Sequence, residues 1–264
     1  YELGKIQSKR EVDLSDFSED VRWNAFAGTP EGTVFLCGTQ GSVARVLPEG
    51  ITEHIPFPFN AHLTAIAVGP TGLVAGDLNG RLYASPDGEH WNLVGQSQSG
   101  SSVRAVEYID LPDYENGFFL ASGGGGELFF GHPSGFEPLS FPFEDQITAI
   151  IQSGDDLIYA LGDRGNAAFS RNGIQWEIDE ILTSEHAWLC GDTGGGISIF
   201  AGEEGQLAIR PDKGPVRKIE QEAWLEALRG DVSDFQAVMV MSSDKLIVIT
   251  STGQMLFSRD GGHS

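Results

Sequence analysis

The stretch Gly80-Arg81-Leu82-Tyr83-Ala84-Ser85-Pro86-Asp87-Gly88-Glu89-His90-Trp91 decides the fold. It opens on a glycine turn. Arg81-Leu82-Tyr83-Ala84 follows as a short apolar strand, then the turn Ser85-Pro86-Asp87-Gly88, then Trp91 at the head of another strand. Glycine adopts the positive φ of such tight turns without steric cost. Upstream, Thr64-Ala65-Ile66 begins an apolar strand in which a polar residue precedes an alanine.

That order recurs six times. The pairs are Asn24-Ala25, Thr64-Ala65, Arg104-Ala105, Thr148-Ala149, His186-Ala187 and Gln236-Ala237, with alanine spacings of 40, 40, 44, 38 and 50. A turn glycine follows each alanine by 15 to 21 residues: Gly41, Gly80, Gly126, Gly165, Gly205 and Gly253. The second turn recurs as Ser170-Arg171-Asn172-Gly173 and Ser258-Arg259-Asp260-Gly261. Looser copies end at Gly50, Gly135 and Gly214. Four short strands in each unit of about 40 residues are the signature of a β-propeller blade. The expected fold is all-β: one domain over residues 1–264, a six-bladed β-propeller of four-stranded antiparallel blades.

Two departures from the repeat carry their own expectations. The spacing of 50 accommodates residues 220–229, Glu-Gln-Glu-Ala-Trp-Leu-Glu-Ala-Leu-Arg, a run of helix formers ahead of Gly230. It reads as a short helix between blades five and six. The sixth unit is expected to borrow its fourth strand from elsewhere in the chain. Residues 9–16 are expected to supply it and so close the last blade, because an open blade edge leaves backbone donors and acceptors unpaired.

Composition excludes several functions. Asp+Glu 38 against Lys+Arg 16 gives a net charge of -22, which repels nucleic-acid phosphates and anionic headgroups. No apolar run approaches the roughly 20 residues of a membrane-spanning helix. The apolar fraction of 40% is too high for disorder. Cys37 and Cys190 both sit in apolar runs and read as buried free thiols. The six histidines lack the paired spacing of a zinc site, and the acidic turns at Asp163 and at Glu203-Glu204 do not match a calcium loop. No metal or cofactor is expected.

The turn from Ser85 to Trp91 resembles the Asp box of bacterial neuraminidase repeats. Ser170 to Trp176 matches it apart from Asn172, and Ser258-Arg259-Asp260-Gly261-Gly262 gives a third copy. The Ser-x-Asp-Gly-Gly form is similar to that of the photosystem II stability/assembly factor family and its bacterial relatives. This resemblance implies an extracytoplasmic, non-catalytic propeller that binds other proteins as an assembly or scaffold factor. It also implies that Ser85, Asp87, Trp91, Ser170, Asn172, Trp176, Ser258 and Asp260 are structural and peripheral. Sialidases share the box but also use an arginine triad, a tyrosine nucleophile and an aromatic-Arg-Ile-Pro motif, and that motif is missing from this sequence.

By analogy with other propellers, a ligand would meet the face where chain connections enter the innermost strands. Asn24, Thr64, Arg104, Thr148, His186 and Gln236 would ring the channel mouth there. Aromatics in the entering connections are candidate interface anchors: Trp23, Phe57, Phe59, Phe141, Phe143 and Trp224. A protein partner is the main expectation. The alternative is glycan binding or glycoside hydrolysis of the sialidase-like kind. The sequence leaves the oligomeric state open.

Overall fold

A computed structural model describes residue 14 and residues 17–219 and 233–259. It shows a six-bladed β-propeller. Blade one is β1 (Trp23–Gly28), β2 (Val34–Gly38), β3 (Val43–Val46) and β4 (Thr52–Ile55). Blade two is β5 (Leu63–Gly69), β6 (Gly72–Asp77), β7 (Arg81–Ser85) and β8 (Asn92–Gln96). Blade three comprises β9 (Val106–Ile109), β10 (Phe118–Ser122), β11 (Leu128–His132) and β12 (Gly135–Leu139). Blade four holds β13 (Ile147–Gln152), β14 (Ile158–Gly162), β15 (Ala167–Ser170) and β16 (Glu177–Ile178). Blade five holds β17 (Trp188–Gly194), β18 (Ile197–Gly202), β19 (Leu207–Pro211) and β20 (Arg217–Ile219). Blade six shows β21 (Phe235–Ser242), β22 (Lys245–Thr250) and β23 (Met255–Ser258) among the described residues.

Every blade is an antiparallel meander in chain order. The first strands are innermost: β1 lies against β5, β5 against β9, β9 against β13, β13 against β17, and β17 against β21. The expected fourth strand at residues 9–16 falls outside the described residues, apart from Leu14, and so does the helix expected at 220–229.

The turn glycines behave as the repeat requires. Gly41, Gly80, Gly126, Gly165, Gly205 and Gly253 all have φ between 69° and 83°. At Gly165 a Cβ would lie 2.2 Å from the Ser184 carbonyl oxygen, so that turn is closed to any side chain by contact as well as by φ. The second-turn glycines Gly50, Gly88 and Gly173 are also left-handed, whereas the looser copies at Gly135 and Gly214 are not.

Apolar rows join neighbouring blades. Ala25, Ala27, Phe35, Cys37 and Val43 of blade one meet Ile66, Leu73, Ala75 and Tyr83 of blade two. Equivalent clusters join blades two to three, three to four, four to five and five to six. Cys37 is fully buried and Cys190 half-buried, and both are free. Burial pushes both thiols up to about 12, so neither is a thiolate at neutral pH.

One register shift in the repeat is a correction to the sequence reading. The recurrent alanine pairs across the first hairpin as Ala25↔Cys37, Ala65↔Gly76, Ala149↔Leu161 and Ala237↔Ile249. In blade five the residue at that position is Cys190, paired with Ala201, and not Ala187. His186-Ala187-Trp188 imitates the motif three residues too early. The turn glycine betrays the error, because Gly205 stands 15 residues after Cys190 but 18 after Ala187, and blades one, two, four and six use 15 or 16.

Candidate functional site

The polar residue ahead of each alanine sits in a β-bulge at the top of the inner strand. Register slips at Trp23/Ala25, Leu63/Ala65, Ile147/Ala149 and Phe235/Ala237 leave Asn24, Thr64, Thr148 and Gln236 unpaired in their hairpins. Three of these side chains reach forward by one repeat. Asn24 Nδ2 donates to the Leu63 carbonyl at 2.7 Å, Thr64 Oγ1 to Val103 at 2.5 Å, and Thr148 Oγ1 to Trp188 at 2.6 Å. Each bond ties one inner strand to the next. These donors are therefore committed to blade-to-blade clasps.

Blade three replaces the bulge with a side chain. The Ser122 hydroxyl accepts the backbone N–H groups of Arg104 at 3.0 Å and Ala105 at 2.9 Å, which leaves the Arg104 side chain exposed. In blade five the bulged position belongs to Leu189. Gln236 is exposed. The six residues thus do not form one uniform ring.

The expected interface aromatics are mostly spent on packing. Phe57 stacks edge-on against Tyr83 at 5.1 Å and Trp91 at 5.3 Å, and Phe59 lies 4.8 Å from Tyr83. Phe141 sits 4.6 Å from buried Phe143 and 5.3 Å from Trp176. Trp23 is covered by Phe17 at 4.8 Å. Trp224 falls outside the described residues. Phe-Pro-Phe segments in loops looked like surface anchors because a loop position conceals which side chains turn back into the seam between blades.

The second turns are self-contained. Asp87 Oδ1 accepts the N–H groups of Glu89 and His90, both at 2.8 Å, while the Ser85 hydroxyl accepts that of Gly88 at 2.8 Å. Trp91 donates its indole N–H to the Gly88 carbonyl at 3.3 Å. The His90 N–H and imidazole, followed by the Glu89 N–H, hold the Asp87 carboxyl well below the usual carboxylate range. Asn172 plays the same part for Ile174 at 3.0 Å and Gln175 at 2.9 Å, and Trp176 binds the Gly173 carbonyl at 3.1 Å. Ser258 is buried, and Asp260 falls outside the described residues.

Three arginines are paired with carboxylates, one within its turn, one across neighbouring strands and one across neighbouring blades. Arg45 meets Glu53 at 2.6 Å, Arg81 meets buried Asp77 at 2.7 Å, and Arg210 meets Asp155 at 2.6 Å. These three arginines lie on β3, β7 and β19, in three different blades. The polar loop at Ser97–Ser99 is organised by Glu127, whose carboxylate accepts the hydroxyls of Ser97 and Ser99 and the Gln98 N–H. Among the described residues no group of three or more His, Cys, Asp or Glu could hold a metal ion. Nor is any described helix long and apolar enough to cross a membrane.

Two features escaped the sequence reading. The first is two carboxylates on innermost strands, Glu107 of β9 and Asp192 of β17, whose charges interact. Glu107 is half-buried. Desolvation, with the Asp192 charge added, raises it to about 8, so it is largely protonated at neutral pH. Asp192 accepts the Val240 N–H at 2.7 Å and thereby clasps blade five to blade six.

The second is a cavity of about 240 Å³ on the connection face of blade five. Trp188, Leu207 and Ile219 form its apolar part, and Ser184, His186, Glu204, Gln206 and Lys218 its polar part. Gln206 is fixed: it takes the Ser184 hydroxyl at 2.6 Å and donates to the carbonyls of His186 at 2.9 Å and Ala187 at 2.6 Å. His186 Nε2 lies 3.5 Å from Glu204 Oε2, and Lys218 donates to the Thr183 carbonyl at 2.8 Å. Glu204 has φ of 48°, a left-handed backbone that holds its side chain at the rim.

Antiparallel blades set side by side through their inner strands define the class: a six-bladed β-propeller. No protein-family model matches the chain, and no curated protein matches it either. Solved structures do. Virginiamycin B lyase from Staphylococcus aureus aligns with a TM-score of 0.70 at 9% identity, over 89% of this chain and 83% of the lyase. YCF48 bound to D1 peptide aligns with a TM-score of 0.64 at 17% identity, over 90% of this chain and 77% of that one. The GH74 xyloglucanase from Xanthomonas campestris aligns with a TM-score of 0.68 at 14% identity, over 90% of this chain but only 45% of the enzyme. These likenesses establish the fold and include both enzymes and a peptide binder.

Proposed function

We propose that this chain is a non-catalytic propeller that binds a segment of another protein, as an assembly or scaffold factor resembling the photosystem II assembly factor type. The observation that carries the reading is the blade-five cavity. Its 240 Å³ falls below the roughly 300–1,000 Å³ of small-molecule sites and suits one or two amino-acid side chains. An apolar floor with a histidine, a glutamate and a lysine at the rim matches an anchor side chain and its flanking backbone. The solved structure of YCF48 with a peptide is a precedent for this use of a similar fold. Asp-box turns of the kind at Ser85 and Ser170 accompany the reading as fold markers, and an extracytoplasmic location goes with it.

The test is binding of the whole chain to a tiled peptide array, repeated with His186→Ala and Lys218→Glu. The strongest peptides should weaken at least about tenfold, equivalent to 1.4 kcal/mol, while the melting curve stays put. Equal binding by both variants would overturn the reading.

A second reading, glycoside hydrolysis, is favoured by one feature, the Glu107 carboxyl that burial and the Asp192 charge hold well above the usual carboxylate range. A carboxyl with a raised pKa is the general acid that a glycosidase uses. Polysaccharide hydrolysis that disappears in Glu107→Gln would establish it.

A further inference from the structure

Glu107 and Asp192 occupy one position of the repeat, two residues after the recurring site at Ala105 and Cys190. The other blades place Ala27, Ala67, Ile151 and Met239 there. Within the six described innermost strands these two are the only acidic residues, and Lys, Arg and His are absent. Their charges interact although blade four lies between their blades. The two carboxyls are held differently. Asp192 Oδ2 accepts the Val240 N–H at 2.7 Å, a bond that crosses from blade five to blade six. Glu107 has burial and the Asp192 charge acting on it, and no hydrogen bond. The Asp192 bond lies in a close seam, where a Cβ on Gly194 would stand 3.1 Å from the Val240 carbonyl oxygen.

The elements packed around the pair bring few other ionisable groups. Tyr108 and Cys190 on the same two strands, and Tyr159 of β14, are raised by burial and so stay neutral at neutral pH. Asp77 of β6 is paired with Arg81 at 2.7 Å. In the turn before β19, Glu203 accepts the Ala187 N–H and Glu204 pairs with His186. Lys245 opens β22 opposite Ser242 and is exposed. The cations of this set, Arg81 and Lys245, stand on β7 and β22, outside the innermost layer.

We propose that Glu107 and Asp192 form a proton-operated latch between blades five and six, closed while Glu107 holds its proton and loosened when Glu107 loses it. With Glu107 neutral, the single charge of Asp192 rests on the Val240 N–H. Ionised, Glu107 adds a second negative charge to a layer that holds no cation. Like charges repel most strongly where water is scarce. The strain is relieved when a carboxylate moves or when water and counter-ions enter. Glu107 has no bond to give up, so the cost falls on the Asp192–Val240 bond. Blade three thereby sets how firmly blade six is attached to blade five. Burial and the Asp192 charge place the Glu107 titration at about 8, so the latch opens as pH rises from about 7 to about 9. Both groups act without a ligand, so the latch rests on neither the peptide-binding nor the hydrolytic reading.

The test is amide hydrogen exchange of the whole chain between about pH 6.5 and 9, read at Val240 and, for reference, at the central strand β6 of blade two. Protection factors cancel the intrinsic pH dependence of exchange and report local opening. Protection at Val240 should fall about tenfold more than protection in β6 as pH rises. Glu107→Gln should remove that difference, and so should Asp192→Asn, which keeps an acceptor but no charge. A Val240 profile that is flat with pH in the wild type overturns the proposal without any variant. Equal losses at Val240 and in β6 also overturn it, because the charge would then strain the ring as a whole. So does a difference that persists in Glu107→Gln.

Discussion

Blade two and blade six grow from the same repeat and end in different surroundings. In blade two, Ile66 and Tyr83 are covered by blade one, while Ala65, Ala67 and Leu82 are covered by blade three. In blade six only one face is covered, and the other displays methionine and phenylalanine. The hairpin registers of the two blades are nearly the same. Strand geometry is therefore local, whereas stability depends on what each face meets. That predicts a graded set of effects.

The largest effects belong to blade two. Trp91 is 5% exposed and packs on Phe57, and Ile66 sits in the same cluster. Trp91→Ala should cost about 3–5 kcal/mol and Ile66→Ala about 2–5 kcal/mol, read from urea denaturation. A loss under about 1 kcal/mol at either site would mean that blade two is no better packed than blade six.

The next effect lies on an innermost strand of blade three and depends on pH. The folded state raises Glu107 from 4.5 to about 8, so the native protein binds more protons than the unfolded chain between those values. Stability from this group is fully present below pH 4.5 and falls as pH rises toward 8. Glu107→Gln should leave stability unchanged at pH 4.5 and raise it at pH 8.5 by on the order of a few kcal/mol. Parallel pH–stability curves for variant and wild type would refute the shift.

Much of the fold was legible because turns and strands are short-range devices. Gly41, Gly80 and Gly165 announced their turns by identity, and the alternating apolar strands between them could form little else. The candidate site was less legible. Asn24, Thr64 and Thr148 stood out as polar residues in apolar strands, but their acceptor carbonyls lie 39 or 40 residues ahead, so the clasp is visible only once the blades are side by side. The blade-five cavity is assembled from β19, β20, the Glu203–Gly205 turn and the connection at Ser184, which share no motif. Phe26 and Ile66 occupy one repeat position, and nothing in either side chain says which has a neighbour.

The clasps allow a smaller test. Thr64→Val and Thr148→Val keep the side-chain shape and delete a donor to the next blade. Each should cost about 0.5–1.5 kcal/mol, the usual net value of one hydrogen bond, with the acceptor carbonyl left partly solvated. Gln236→Leu lacks a clasp to lose and should fall within about 0.5 kcal/mol of wild type. Equal losses at all three would mean that the bulge itself, and not the forward bond, holds the inner strands together.

The smallest expected effect is the sharpest test of the comparison. Phe26 and Ile66 share register, opposing Leu36 and Ala75 on their second strands. A buried phenylalanine truncated to alanine costs about 3–5 kcal/mol, while an exposed one falls within about 0.5 kcal/mol of wild type. At 71% exposure Phe26 belongs to the second kind. Phe26→Ala should shift the urea midpoint barely at all, whereas Ile66→Ala shifts it by most of the transition. A loss above about 2 kcal/mol at Phe26 would mean that blade one is covered within the single chain, and the two blades would then be alike in packing as well as in register.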